Sequence, residues 1–409
     1  MDTPQIVDSF FRTEYGKVVS HLSSRFGSKN IELAEDAVQE TLIKAVQTWP
    51  HQEIPENPTG WIIRVAANKM IDHLRREERM TQESVPEKVE PANDFVSPEV
   101  INDDMVRMIF ACCHPELSLE YQLIITLKIL GGLSIREIAV ALLKKEETIA
   151  KAYTRAKKKF KKEEINLSLP PAHEIAKRLD MVLKVIYLLF NEGYKATEGT
   201  QLIREDLCEE AIRLNKILLD SEICDTPAAN GLIAMMLFQA ARFPARVNQS
   251  GELIPLEYQD RSVWDTELIN LGLKFLKKAT NGTETNEYII QASINAIHCQ
   301  SESLEKTDWV AILQLYDLQL KIESNPIVAL NRIVPLLKAK GAISAWNAIE
   351  KLESTLFFEE YYLFYAIKAT VLEEMGDHEG RIDCLKTALS LVKNSKEKAF
   401  LERQLAASR

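Results

Sequence analysis

The chain has 409 residues, 46% hydrophobic and 27% charged, an ordinary globular balance that predicts two or three domains. Its 14 Gly and 15 Pro are scarce, roughly 3–4% each, against a usual ~7% and ~5%; that argues against Gly-rich phosphate loops, turn-filled sandwiches and long disordered tails, and the dominance of Ala, Leu, Glu, Lys and Ile predicts an all-α fold. The net charge of −10 alone disfavours nucleic acid, yet the charge is segregated: residues 134–162 hold ten Lys/Arg against three Glu, and residues 80–104 one Lys against seven Asp/Glu. A short basic helix inside an acidic chain is a stronger nucleic-acid signal than the overall balance.

Residues 9–26 carry Phe11, Tyr15, Val18, Val19, Leu22 and Phe26 at helical spacing and predict a first helix. After the break at Gly27–Asn30, residues 31–49 predict a second, with Ala34, Ala37, Val38, Thr41, Leu42, Ala45, Val46 and Trp49 inward and Glu32, Glu35, Asp36, Gln39 and Glu40 on the other face. A Pro-marked loop follows over 50–58, and Thr59 is placed to cap a third helix starting at Gly60-Trp61. That helix buries Ile62, Val65, Ala66, Met70 and Leu74, and its opposite stripe is Arg64, Asn68, Asp72, Arg75 and Arg79. Residues 80–104 are acidic, contain Pro86, Pro91 and Pro98, and lack periodicity, which predicts a flexible linker.

Residues 105–130 are helical again, and Ser134-x-x-Glu137 is a capping box opening a short helix. A tight turn at Leu143–Lys145 leads to a long helix from Glu146 to about Lys162. Its inward stripe is Ile149, Ala152, Tyr153, Ala156 and Phe160, and its outer one Thr148, Lys151, Arg155, Lys158 and Lys162. Beyond Leu169-Pro170-Pro171 the chain reads as helices with short loops. Ala329–Leu352 and Tyr362–Leu389 look like copies, with Gly341 and Gly376 35 residues apart, close to the tetratricopeptide period of about 34.

A short helix buttressing a second one whose outer face is basic, over 134–162, has the shape of a helix-turn-helix; the pattern serves a DNA-reading unit or a solvated basic helix in a bundle equally well. Cys112-Cys113-His114 invites a zinc site, but adjacent ligands strain a tetrahedron and no second Cys/His cluster has suitable spacing, so no metal is expected. Glu35, Asp36 and Glu40 have no paired His or nucleophile, and no catalytic residue or cofactor is expected. The run Glu257–Asp265 reads either as a ligand site or as an Asp–Arg and Trp network bracing a loop. No apolar run reaches the about 18 residues of a membrane span, no signal-peptide pattern is present, and six cysteines in this length make no disulfide framework. A cytoplasmic chain with no membrane partner is expected.

In their order and spacing these segments resemble an extracytoplasmic-function sigma factor of bacterial RNA polymerase. Ala34-Glu35-Asp36-Ala37-Val38-Gln39-Glu40-Thr41 is similar to the helix that docks on the polymerase clamp. Gly60 to Arg76 is similar to the segment that melts and reads the −10 element, and Gly132–Ala139 with Thr148-Ile149 and Arg155-Ala156-Lys157 to the −35 reader. Leu189–Tyr194, Arg204–Leu214, Ala245–Val247, Gln259–Asp265 and Pro326–Arg332 resemble the long extension of one subgroup, in which a tetratricopeptide-like domain follows the two sigma domains.

The resemblance implies a region 2 domain over 1–79, the linker over 80–104, a region 4 helix-turn-helix domain over 105–165 and a helical extension over 172–409. It implies that core RNA polymerase is met by Glu35, Asp36, Gln39 and Glu40, the −10 DNA by Trp61, Arg64, Asn68, Arg75, Arg76 and Arg79, and the −35 DNA by Thr148, Lys151, Arg155 and Lys158. Trp61 serves as a base contact or as a core anchor. The loop at 50–59 lacks the serine- and aromatic-rich composition frequent in the family, and Glu147, Ala150 and Ala152 replace the Gly and basic residues common there, so neither promoter element is specified. The implied partners are core polymerase, promoter DNA and, for the acidic extension, the sigma half of the same chain. A stand-alone helix-turn-helix regulator with a helical sensor domain is the alternative; the acidic face at 32–40 and the Trp61–Arg79 helix argue against it, since a plain repressor needs neither.

Overall fold

The computed structural model describes residues 3–49, 54–81, 97–142, 144–194, 204–246, 248, 254–353, 358–392 and 395–407, and among them every regular element is helical. The chain divides into two compact units, Met1–Leu189 with Lys216–Cys224, and Phe190–Asn215 with Asp225–Arg409.

The first unit begins with α1 (Thr3–Phe26), α2 (Ile31–Thr48) and α3 (Pro58–Thr81). Their shared core is built from Val18, Val19 and Leu22 of α1, Ala34, Val38 and Ala45 of α2, and Ile62, Ala66 and Met70 of α3, all buried. Small residues dominate the α2 stripe, which lets the helices approach closely. Val46, placed inward by the pattern, is 50% exposed near the end of α2. The side chain of Phe11 and residues 50–53 lie outside the described residues. The third helix begins at Pro58, before Gly60. Asn57 Oδ1 accepts the Gly60 N–H at 2.9 Å and Pro58 takes the first helical position, where its missing N–H costs nothing. Thr59 is no cap: its hydroxyl donates instead to Glu14 Oε2 of α1 at 2.6 Å.

Next come α4 (Pro98–Cys112), α5 (Leu119–Ile129), α6 (Ile135–Ala141), α7 (Glu146–Lys162) and α8 (Ala172–Tyr194) up to Leu189. Residues 98–104 are helical, although the sequence reads as linker there. Ser97 caps the helix by accepting the Val100 N–H, Pro98 sits in its first turn, and Ile101, Met105 and Ile109 are buried one turn apart. The predicted run over 105–130 is two helices, because Pro115 cannot continue a hydrogen-bonded turn and Ser118 caps a new start. Helix α4 lies along α1: Ser20 Oγ meets Met105 Sδ at 3.2 Å, and His21 Nδ1 lies 2.8 Å from Asp104 Oδ2. Gly16 of α1 faces the carbonyl of Leu130, where a Cβ would stand 2.3 Å from the oxygen, so this closeness of backbones requires glycine.

The second unit holds α9 (Glu205–Leu219) up to Asn215, then α10 (Pro227–Ala240), α11 (Phe243–Arg246), α12 (Thr266–Ala279), α13 (Glu287–Gln300), α14 (Trp309–Ile322), α15 (Pro326–Asn331), α16 (Ile333–Lys340), α17 (Ala342–Glu353), α18 (Tyr362–Met375), α19 (His378–Leu391) and α20 (Ser395–Ala407). α10 is its central element, buried from Ala229 to Phe238 and flanked by α12 and α13. Thr226, Asp265, Asn286, Asp308, Asn325 and Asp377 each accept an N–H from the first turn that follows, the chemistry that starts helices. The paired copies are present as helical hairpins: α16 turns into α17 at Gly341 (φ 82°) and α18 into α19 at Gly376 (φ 79°). Both turns occupy the left-handed region that glycine enters without steric cost. Arg381, where the repeat prefers a small residue, pairs with Glu373 at 3.3 Å.

Candidate polymerase and promoter interface

The acidic helix α2 presents two kinds of carboxylate. Asp36, Gln39 and Glu40 are exposed, and Glu40 Oε2 accepts from Lys69 Nζ of α3 at 2.6 Å. Glu35 is only 3% exposed. Tyr15 Oη donates to Glu35 Oε1 at 3.0 Å and Tyr153 Oη of α7 donates to Oε2 at 2.6 Å. Lys157 Nζ completes the arrangement, 2.9 Å from Glu32 and 3.8 Å from Glu35. Burial, reinforced by the Glu35 charge, pushes both phenols well above their usual range. They stay protonated and serve as donors to the buried carboxylate. The first unit therefore holds α2 and α7 together through one carboxylate gripped by two tyrosines. Sequence reasoning missed that Tyr15, Tyr153 and Lys157 converge on Glu35; the apolar stripes marked both tyrosines as inward, but no periodicity names the helix that each faces.

On α3, Trp61 is half-buried and packs edge-on against Trp49, ring centroids 5.5 Å apart. Asn68, Arg75 and Arg76 are exposed and Arg64 is half-exposed. Arg79 lies in the last turns of α3, its side chain outside the described residues. The exposed positions share one helix face, since spacings of three and four residues stack side chains along a helix.

The α6–α7 pair is built by the capping box. Ser134 Oγ accepts the Glu137 N–H at 3.1 Å, and Glu137 Oε2 accepts the Ser134 N–H at 2.7 Å. Ile149, Ala152, Tyr153, Ala156 and Phe160 are buried. Thr148, Lys151, Arg155, Lys158 and Lys162 are exposed, which leaves a basic face open to a phosphate backbone or a groove. Lys151 is paired with Glu147 at 2.6 Å in an exposed, weak ion pair. Cys112 and Cys113 are buried at the end of α4; burial drives both thiols up, that of Cys113 to about 12. Among the described residues no group of three His, Cys, Asp or Glu is placed to hold a metal ion, and no helix is long and apolar enough to cross a membrane.

An acidic helix, an Arg-lined helix with a tryptophan in its first turn, and a capped helix-turn-helix define a DNA-binding transcription factor of the sigma type. Residues 10–80 match sigma-70 region 2 and residues 107–160 match sigma-70 region 4, while residues 178–280 match a family of unknown function, DUF6596. The chain is 35% identical over 384 residues to the uncharacterized protein R00370 of Rhizobium meliloti, an alignment covering 92% of this chain and 90% of that protein. It is 27% identical over 136 residues to the ECF RNA polymerase sigma factor SigE of Mycolicibacterium smegmatis, covering 33% of this chain and 52% of that protein. The chain belongs to the extracytoplasmic-function sigma factors, in the form that carries a long helical C-terminal extension.

Proposed function

We propose that this protein is the promoter-specificity subunit of a bacterial RNA polymerase: it binds the core enzyme through the acidic face of α2, opens and reads the −10 element with α3, and reads the −35 element with α7. The observation that carries the reading is the basic outer face of α7, exposed along its length on a helix whose opposite stripe is buried against α5 and α6. Asp36 and Glu40 are exposed on α2, Glu40 in a solvent-facing pair with Lys69, and face a basic polymerase surface in this reading, so Asp36→Arg and Glu40→Arg should weaken capture of core polymerase while leaving helicity intact. Reversing an interfacial charge leaves like charges facing each other, at a cost of several kcal/mol. Unchanged capture would remove α2 from the docking role. Transcription in vitro with and without core polymerase, followed by sequencing of the bound DNA, tests the whole assignment. Sequence-specific promoter binding by the free protein would favour the stand-alone regulator instead.

The extension acts in cis in this reading. Residues 166–409 carry 27 Lys/Arg against 34 Asp/Glu, whereas 134–162 are strongly basic, and tethering raises the local concentration of two such surfaces to roughly millimolar. Carbodiimide cross-linking of the full chain should join lysines of α7 to carboxylates of the extension at low salt and lose those links at high salt. Absence of such links at both would leave an external partner as the use of the extension.

A further inference from the structure

The second unit contains a group of arginines treated differently from its other arginines. Arg204, Arg213, Arg332 and Arg381 each hold a carboxylate, those of Asp206, Glu210, Asp317 and Glu373. Arg242, Arg246 and Arg261 hold none among the described residues. Arg242, 9% exposed, donates from Nη2 to Tyr194 Oη at 2.6 Å. Arg246 donates from Nη1 to the Tyr194 carbonyl at 2.8 Å, and its guanidinium lies 3.7 Å from the centre of the Tyr194 ring. Arg261 donates to the carbonyls of His298 and Ser301, 2.7 and 2.5 Å away, and stands over Trp264 at 5.0 Å. The Glu257–Asp265 run is thus a brace, with Asp260 accepting from Ser262 and Asp265 capping α12.

The brace does not use all of its donors. Arg242 Nε, Arg261 Nη2 and Trp264 Nε1 are buried with no acceptor, and His298 Nδ1 is buried with no partner. These four side chains are neighbours: Asp265 N–H bonds the Ala241 carbonyl, bringing Trp264 beside Arg242, and Arg261 is bonded to the backbone of His298. Arg242 is the electrostatic centre of the group, since its charge is felt by Arg246, Arg261 and His298. Burial, helped by Arg242 and Arg261, pulls His298 down to about 4, so the ring is neutral. Burial acts to raise the Tyr194 phenol, but Arg242 and Arg246 outweigh it and hold it below its usual range. Glu305, whose charge also reaches Arg261, is exposed at the loop and bonds none of the three. Clustered guanidiniums that bond no carboxylate among the described residues, and buried N–H groups without acceptors, are both costly arrangements. One ligand relieves both costs, an anion with several acceptor oxygens.

We propose that Arg242, Arg246 and Arg261, with Trp264 and His298, form a binding site for a small oxyanion ligand, one phosphate or carboxylate group of a small molecule held by the N–H groups the protein leaves unpartnered. Planar guanidinium forks suit such oxygens. The extension then carries a ligand site of its own, separate from the polymerase- and DNA-facing helices.

The test uses the full chain in oxyanion-free buffer, with thermal melting and calorimetric titration against sodium phosphate and, in a second arm, sodium citrate, each matched by sodium chloride at equal ionic strength. Saturable stabilisation by either anion beyond that of chloride is expected, and the arm that saturates at lower concentration separates phosphate from carboxylate. Arg242→Gln should bind at least about tenfold more weakly, while Arg332→Gln, whose arginine is paired with Asp317, should bind as the parent does. Where circular dichroism shows Arg242→Gln misfolded, Arg242→Lys carries the comparison, because it keeps the charge and loses the fork. No saturable effect of either anion on the parent chain would overturn the proposal and leave ordered water on these donors. Equal binding by the folded Arg242 variant would overturn it as well.

Discussion

Glu35 illustrates how one side chain couples distant parts of the first unit. Its carboxylate takes hydrogen bonds from Tyr15, 20 residues before it, and Tyr153, 118 residues after it. Hydrogen bonds to a charged acceptor contribute about 1.5–3 kcal/mol each. Tyr153→Phe should therefore lower the unfolding free energy of the chain by an amount in that range. The same substitution should cost clearly less when Glu35 is already Gln, giving a coupling of about 1 kcal/mol or more in a double-mutant cycle read by urea unfolding. Additive effects would mean that the pair is not bonded in solution. The residue also marks a limit of sequence reading. Sequence reading assigns Glu35 to the polar face of α2; a period of 3.6 puts it at the flank of the Ala34, Val38 and Ala45 stripe, and it carries no information about an element elsewhere in the chain that covers that flank. Asn57 and Thr59 are a second instance: both are good capping residues, and only the position of Glu14 decides that Thr59 is drawn to it while Asn57 caps the helix.

At the level of elements, α7 was legible almost throughout. Its five inward residues are all buried and its outer five all exposed, because a helix packed on one side obeys its period closely. Two positions on that outer face should behave differently. Lys151 lies in the early turns, where side chains reach base edges, and Lys158 lies two turns further, where phosphate contact dominates. Lys158→Ala should weaken binding of holoenzyme to all promoters alike and reduce the salt slope by about one unit. Lys151→Ala should instead reorder affinities among −35 variants; identical profiles would sink the distinction. α4 was less legible. It follows Pro86 and Pro91, and its first half contains Pro98, Asp103 and Asp104, so its composition resembles a linker. In that first half only Ile101 and Asp104 are buried, whereas from Met105 to Cys112 nearly every residue is. The dyad of Asp104 with His21 shows why an acidic residue belongs there. The helix–loop–helix form of the repeat pair was readable from two glycines alone, since each marks a turn that only a left-handed backbone closes.

For the molecule as a whole, the arrangement of the first unit has a consequence for its working cycle. The −10 and −35 elements lie about 25 base pairs apart, on the order of 85 Å of duplex at ~3.4 Å per step. A compact unit of about 200 residues has a radius of gyration of about 16 Å, so α3 and α7 cannot reach both elements while Glu35 bridges α2 to α7. Promoter binding in the proposed role requires that they part. With fluorophores on the exposed positions Asp72 of α3 and Lys162 of α7, energy transfer should be high in the free protein and fall on adding core polymerase. Transfer that stays high in a transcribing complex would contradict the separation.

The contact of Gly16 with the Leu130 carbonyl bears on how this unit melts. The Cβ that Gly16 lacks would point at the Leu130 backbone, whereas Val18, Val19 and Leu22 supply the α1 part of the core shared with α2 and α3. Gly16→Ala would thus wedge the seam between α1 and the segment following α5 without opening the three-helix core. Cooperativity between two bodies depends on the free energy of the surface they share. The parent unit should unfold in one calorimetric step, and Gly16→Ala should split that step in two, the half bearing α4 to α7 melting apart from the half bearing α1 to α3. The exchange of one hydrogen for a methyl group would turn a single thermal transition into a pair.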